Sequence, residues 1–189
     1  MQANDRRAML RGAGLVILIE VVALVIVLAV VMTGGFSMGA DARAGAIEKW
    51  VGEGSSGLWI SGNAPKVKNP VPVNDQTLIR GAEVYQGNCA VCHGGAHYEV
   101  SLLHKAVYPG VPQFLKGGGP DDPDQNVFYV IKHGIRFTGM PAWEYNMSDA
   151  DIWTVVNFLK NMEHLPPAVQ AKWNQMPMSP QLPNPQEPK

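Results

Sequence analysis

With 189 residues and a formal net charge of −1, the chain is long enough for one compact domain plus extensions, or for two very small domains. The balanced charge leaves no basic stripe for nucleic acid, which is excluded as a partner. Only two cysteines are present, both within one five-residue stretch, so a disulfide framework is excluded and the cysteines read as a site.

Residues 1–11 carry Arg6, Arg7 and Arg11 and read as a cytoplasmic N-terminus. Residues 12–36 are apolar or small apart from Glu20, and a helix from about Ala13 to Thr33 would cross a hydrocarbon core of about 30 Å. Positive charge before the helix and Asp41 after it place everything beyond residue 37 outside. Ala40-Asp41-Ala42 has the form of a signal-peptidase site, but the apolar core is longer than the 7–15 residues of a signal peptide, so a retained anchor is expected. The paired arginines resemble a twin-arginine export signal only faintly. Glu20 lies about two turns inside the membrane. An ionisable group there marks a functional contact, or else stays protonated or reaches for the headgroups.

Residues 37–73 read as a linker rich in Gly, Ser, Asn and Pro, with apolar islands at Ile47, Trp50, Val51 and Leu58-Trp59-Ile60. Trp50 and Trp59 suit the headgroup layer, or pack on the following domain or on a partner. Asn69-Pro70-Val71-Pro72 has the composition of a stiff, extended spacer.

Residues 74–165 read as a small α-helical domain of three helices, a size at which a core is marginal without a staple or cofactor. The first helix, from about Asp75 to Gln86, places Leu78, Ile79, Ala82 and Tyr85 on one face. The second opens with Asp122 as N-cap and Pro123 at its first position, and closes at His133-Gly134. The third starts at Ser148, with Asp151 completing an acidic capping box, and carries Ile152, Val155, Val156 and Leu159 at helical spacing. From His93 to Asp121 the pattern is loop, and no strand pattern appears. Residues 166–189 open with two prolines and hold five more, which predicts a non-helical, Pro-rich tail.

The chemistry sits in Cys89-Ala90-Val91-Cys92-His93. This C-x-x-C-H spacing is the attachment signature of haem c. Two thiols three residues apart can each add to one haem vinyl group, and the next histidine then meets the iron. A thioredoxin-like site would need a surrounding βαβ pattern, and a zinc site a second pair of ligands at the right spacing. Neither is present. For the sixth iron ligand, Met140 stands in the rigid loop Thr138-Gly139-Met140-Pro141-Ala142-Trp143. His/Met ligation suits electron transfer. The rivals are Met147, Met162, His97, His104, His133 and His164, with His97 or His104 giving a bis-histidine iron.

The order helix, C-x-x-C-H, loop, helix, Gly-Met-Pro and helix, with Val130-Ile131-Lys132-His133-Gly134 before the Met140 loop, resembles the class I, single-haem c-type cytochromes, specifically the membrane-anchored bacterial group. The resemblance covers about half of the chain. It implies a crossing of the first and last domain helices through Gly81 and Tyr85 against Trp153 and Val156. It also implies a proline carbonyl that accepts the ring N–H of His93, at Pro112 or alternatively Pro109, with Phe114 standing where the family has leucine. The implied cofactor-binding set is Cys89, Cys92, His93, Met140, Pro112 and Trp143, with His93 and Met140 on the iron.

The implied function is electron transfer rather than catalysis. The chain would be a single-pass protein of the bacterial inner membrane, its haem domain in the periplasm, exchanging electrons with a membrane redox complex such as an oxidase, a dehydrogenase or a quinol-oxidising complex. A haem-based binder of NO or CO is the alternative, and would need Met140 to leave the iron. Ten acids against six bases make residues 74–165 mildly acidic, which favours a basic docking surface.

Overall fold

The computed structural model describes residues 3–34 and 37–177. The end of the expected membrane helix at 35–36 and the tail from 178 to 189 lie outside the described residues. The chain divides into two units, Met1–Ala42 and Arg43–Lys189.

The first unit holds helix α1, Ala3–Met32. It starts nine residues before the apolar stretch, because Arg6, Arg7, Ala8, Met9, Leu10 and Arg11 are themselves good helix formers. Within it, Met9–Met32 is long and apolar enough to cross a membrane, and none of it is buried within the chain.

The second unit is all-helical among the described residues, with a single β-bridge between Gly95 and Tyr98. Helix α2, Ala46–Asn63, falls inside the expected linker and corrects that reading. Its glycines and serines carry poor helix propensity, but Glu48 bonds back to the Gly45 N–H, and Trp59 packs on Tyr129 with ring centroids 4.9 Å apart. The expected spacer is also docked: Asn69 Nδ2 donates to Asn157 Oδ1 at 2.8 Å, and Asn157 Nδ2 donates to the Val71 carbonyl at 3.1 Å.

Helix α3 (Asp75–Asn88) begins at Asn74, whose side chain accepts from Thr77 N at 3.0 Å. It runs into the short turn α4 (Ala90–His93). After a 3₁₀ turn at Leu102–Lys105 and the one-turn α5 (Phe114–Gly117) comes α6 (Asp124–His133). Pro123 itself is the N-cap of α6, one residue later than expected, and its carbonyl accepts from Asn126 and Val127. Helix α7 (Asp149–Asn161) starts at Ser148, whose hydroxyl accepts from Asp151 N at 3.1 Å. Arg80 of α3 reaches Asp151 at 2.8 Å.

The core is the crossing of α3 and α7, with α6 alongside. Gly81 makes the close approach: a Cβ there would fall 2.1 Å from the Thr154 carbonyl and 2.9 Å from Phe158 Cβ. The register therefore differs from expectation. Thr154 and Phe158, four apart and on one helical face, meet α3, whereas Trp153 sits about a quarter-turn away and stacks on Phe128 at 4.1 Å.

A second correction lies beyond Leu165. Pro167–Asn174 forms helix α8, with Pro167 at the first position, where a missing N–H costs nothing. Val169, Trp173 and Met176 are buried, and the Trp173 ring lies 4.9 Å from Phe158 and 6.0 Å from Tyr85. The packed domain thus runs on past residue 165, through Met176.

Candidate functional site

The site grows from the end of α3. Cys89 N–H still donates to Tyr85 O, and both Cys92 N–H and His93 N–H donate back to Cys89 O at 3.0 Å. The C-x-x-C-H segment is therefore one turn of helix, which sets the two cysteines on one side and His93 next to them. Both thiols are unpaired. Gly94 ends the turn at φ 88°, and a Cβ there would strike the Glu99 carbonyl at 2.6 Å. Tyr85 Oη fixes the corner by donating to Gly94 O at 2.8 Å.

His93 is aimed by two contacts. Its Nδ1 donates to the Pro112 carbonyl at 2.9 Å, and its ring stacks on Phe114 at 4.7 Å, 8° from parallel. Gln113 holds this segment in place and was not legible in the sequence. Its Nε2 donates to Cys92 O at 2.9 Å, while its Oε1 accepts from Ser101 N at 2.7 Å. One side chain thus ties the proline segment to the cysteine turn. A glutamine within a Gly/Pro-rich loop gives no periodic signal that would single it out.

Met140 stands on a strapped loop. Thr138 Oγ1 accepts from Met140 N at 3.0 Å and donates to Ile135 O at 2.7 Å, and Ile135 N donates to Met140 O at 3.2 Å. Trp143 N and Glu144 N bond the carbonyls of Ile131 and Lys132, tying the loop to the last turn of α6. Gly134 is required at the crossing. Its φ of 65° and ψ of −170° suit only glycine, and an added Cβ would lie 2.6 Å from Met140 O. Phe137, at φ 62°, keeps a strained backbone with its ring in solvent. Cys89, Phe114, Met140 and Trp143 all border the same core cluster.

All of the rival ligands except His164 are otherwise engaged. One ring nitrogen of His97 lies 2.6 Å from Met176 O, and one of His104 lies 2.7 Å from Val111 O. His133 packs on Tyr129 and lies 3.6 Å from Glu144. Met162 belongs to the core and Met147 packs against it. His164 is exposed.

Burial governs the protonation of the site. It pushes the Cys89 thiol up to about 12, with Cys92 adding a smaller push, and raises Cys92 as well. It pushes the His93 imidazole down, and the hydrogen bond to Pro112 opposes that in part. The bond to Pro112 commits one nitrogen of the imidazole and leaves the other for a ligand. Among the described residues no three His, Cys, Asp or Glu side chains form a metal-binding group.

The family described as Cytochrome C oxidase, cbb3-type, subunit III matches residues 76–159. Cytochrome c6 of Cladophora glomerata is 29% identical over 101 residues, spanning 100% of that protein and 53% of this chain. Cytochrome c6 of Chlorolobion braunii is 32% identical over 82 residues, 86% of that protein and 43% of this chain. The chain belongs to the c-type cytochromes. As a class I, single-haem member it binds haem c covalently and transfers electrons. The residues of this cytochrome fit that group: two free thiols lie three residues apart on one turn, beside an imidazole whose Nδ1 is already bonded to a carbonyl. The matched span includes Cys89, Cys92, His93 and Met140, and leaves out α1, α2 and α8.

Proposed function

We propose that this cytochrome is a membrane-tethered carrier of single electrons, with Cys89 and Cys92 attaching the haem and His93 and Met140 as its two axial ligands. The observation that carries the reading is the 2.9 Å bond from His93 Nδ1 to the Pro112 carbonyl. It fixes the tautomer, leaves Nε2 as the free donor and makes the imidazole a stronger base. The haem iron, when bound, supplies the one-electron couple. The protein supplies position: Gln113 keeps Pro112 against His93, Phe114 limits rotation of the ring, and the Thr138–Ile135 strap holds Met140. Trp143 closes the apolar side of that loop. With His93 and Met140 both holding the haem iron, no side of it would be left for a substrate, which supports a carrier rather than an enzyme.

Helix α1 is the anchor in this reading. The haem domain lies on the outer face of a bacterial inner membrane, and its partner is a membrane redox complex of the oxidase, dehydrogenase or quinol-oxidising kind. Three features support it: the length of the apolar helix, the arginines before it and the requirement that haem c be attached outside the cytoplasm. The acidic balance of the domain suits a basic docking face, whose contribution is orientation and encounter rate.

Spectroelectrochemistry tests the ligand assignment. The protein should show one reversible one-electron couple. In Met140→Ala the haem should remain covalently attached, while the iron turns partly high-spin and the potential falls. An unchanged spectrum and potential would assign the sixth position to another residue.

A further inference from the structure

Helix α2 has two sides that carry apolar residues, and among the described residues only one of them has a partner within the chain. Trp59 and the half-buried Ser56 and Ile60 turn toward the domain, where Trp59 meets Tyr129 of α6. On the opposite side of the helix, Ile47, Trp50, Val51 and Leu58 fall within about a quarter-turn of one another at 100° per residue. These four side chains are 79%, 77%, 52% and 77% exposed. A row of four large apolar side chains in water is costly unless something covers it.

Three observations identify the cover. First, only thirteen residues, 33–45, separate the end of α1 from the start of α2, so α2 begins no more than about 45 Å from the end of a membrane-spanning helix. Second, the stripe includes a tryptophan, Trp50, with Lys49 and Glu53 paired on another face of the helix. Third, charge changes sign here. Residues 43–68 hold four bases against two acids, whereas residues 74–165 carry six bases against ten acids. The α2 region is thus the part of the second unit that an anionic headgroup layer repels least.

From these observations we infer that α2 lies in the outer membrane–water interface, with Ile47, Trp50, Val51 and Leu58 in lipid and Trp59 against the haem domain. This rests on the reading of α1 as a retained anchor and adds a second, orienting attachment to it. A single spanning helix with a flexible connection would let the haem domain tumble. A helix held by lipid on one side and by Tyr129 on the other fixes how the domain faces the membrane, and so which of its edges a partner within the bilayer meets.

The test uses the full-length, haem-loaded protein in lipid nanodiscs containing a phospholipid with a photoactivatable diazirine near the top of its acyl chain. After illumination, labelled positions are mapped by peptide mass spectrometry. The proposal expects label within α1 and at Ile47, Trp50, Val51 and Leu58, with none at Lys49, Glu53 or Ser56. In the variant Ile47→Ser with Leu58→Ser the α2 label should be lost, while the α1 label and the haem spectrum stay as they were. Label on α1 with none on α2 would overturn the interfacial helix and leave the anchor standing. Absence of label from α1 would overturn the anchor reading, and the interfacial helix with it.

Discussion

At the scale of single residues, glycine decides how the Met140 loop can run. Gly134 combines φ 65° with ψ −170°, and no side chain fits between it and the Met140 carbonyl. Gly134→Ala should therefore cost roughly 1–3 kcal/mol of backbone strain alone, and more if the loop must move. Chemical denaturation of the haem-loaded protein measures the loss, and the visible spectrum shows whether Met140 has shifted from the iron. Wild-type stability with a wild-type spectrum would mean that the loop adapts freely. The sequence spoke clearly about chemistry at this scale. Cys89, Cys92 and His93 declare themselves by spacing, because bond formation to the haem demands that spacing, and the Gly-Met-Pro tripeptide marks a rigid loop. Gln113 stayed silent, since nothing local requires a glutamine there; its role is two contacts made across the fold, to Cys92 and Ser101.

At the scale of elements, most helix ends are legible in the sequence and tertiary rescue is not. Ser148 with Asp151 and His133-Gly134 mark their helix ends through local hydrogen bonding, which sequence carries directly. Helices α2 and α8 were missed for a common reason. Glycine and serine in one, and the double proline before the other, lower local propensity, while the compensating contacts of Trp59 and Trp173 come from distant residues. The crossing of α3 and α7 was legible from Gly81, but its register was not, because Trp153 could face either neighbour. The packing of α8 makes a direct prediction. Trp173→Ala should destabilise the haem-loaded domain by about 3–5 kcal/mol, the usual cost of truncating a buried tryptophan. Hydrogen exchange should show early opening of α8 and of the adjoining part of α3. A loss below about 1 kcal/mol would show that α8 merely rests on the surface.

At the scale of the whole molecule, two units share one chain, and the family match covers residues 76–159, between α2 and α8. If α1 is retained, the protein stays with membranes through high-salt and carbonate washes, and the mature N-terminus precedes Gly12. A soluble chain beginning at Arg43 would instead make residues 1–42 a signal peptide. In the proposed function the molecule carries electrons because His93 and Met140 together would hold its haem iron and close it to other ligands. Exposure of the reduced protein to carbon monoxide tests that most directly. The spectrum of the wild-type protein should not change under the gas, whereas Met140→Ala should bind it promptly. Prompt binding by the wild-type protein would contradict the account and make the haem a ligand-binding centre.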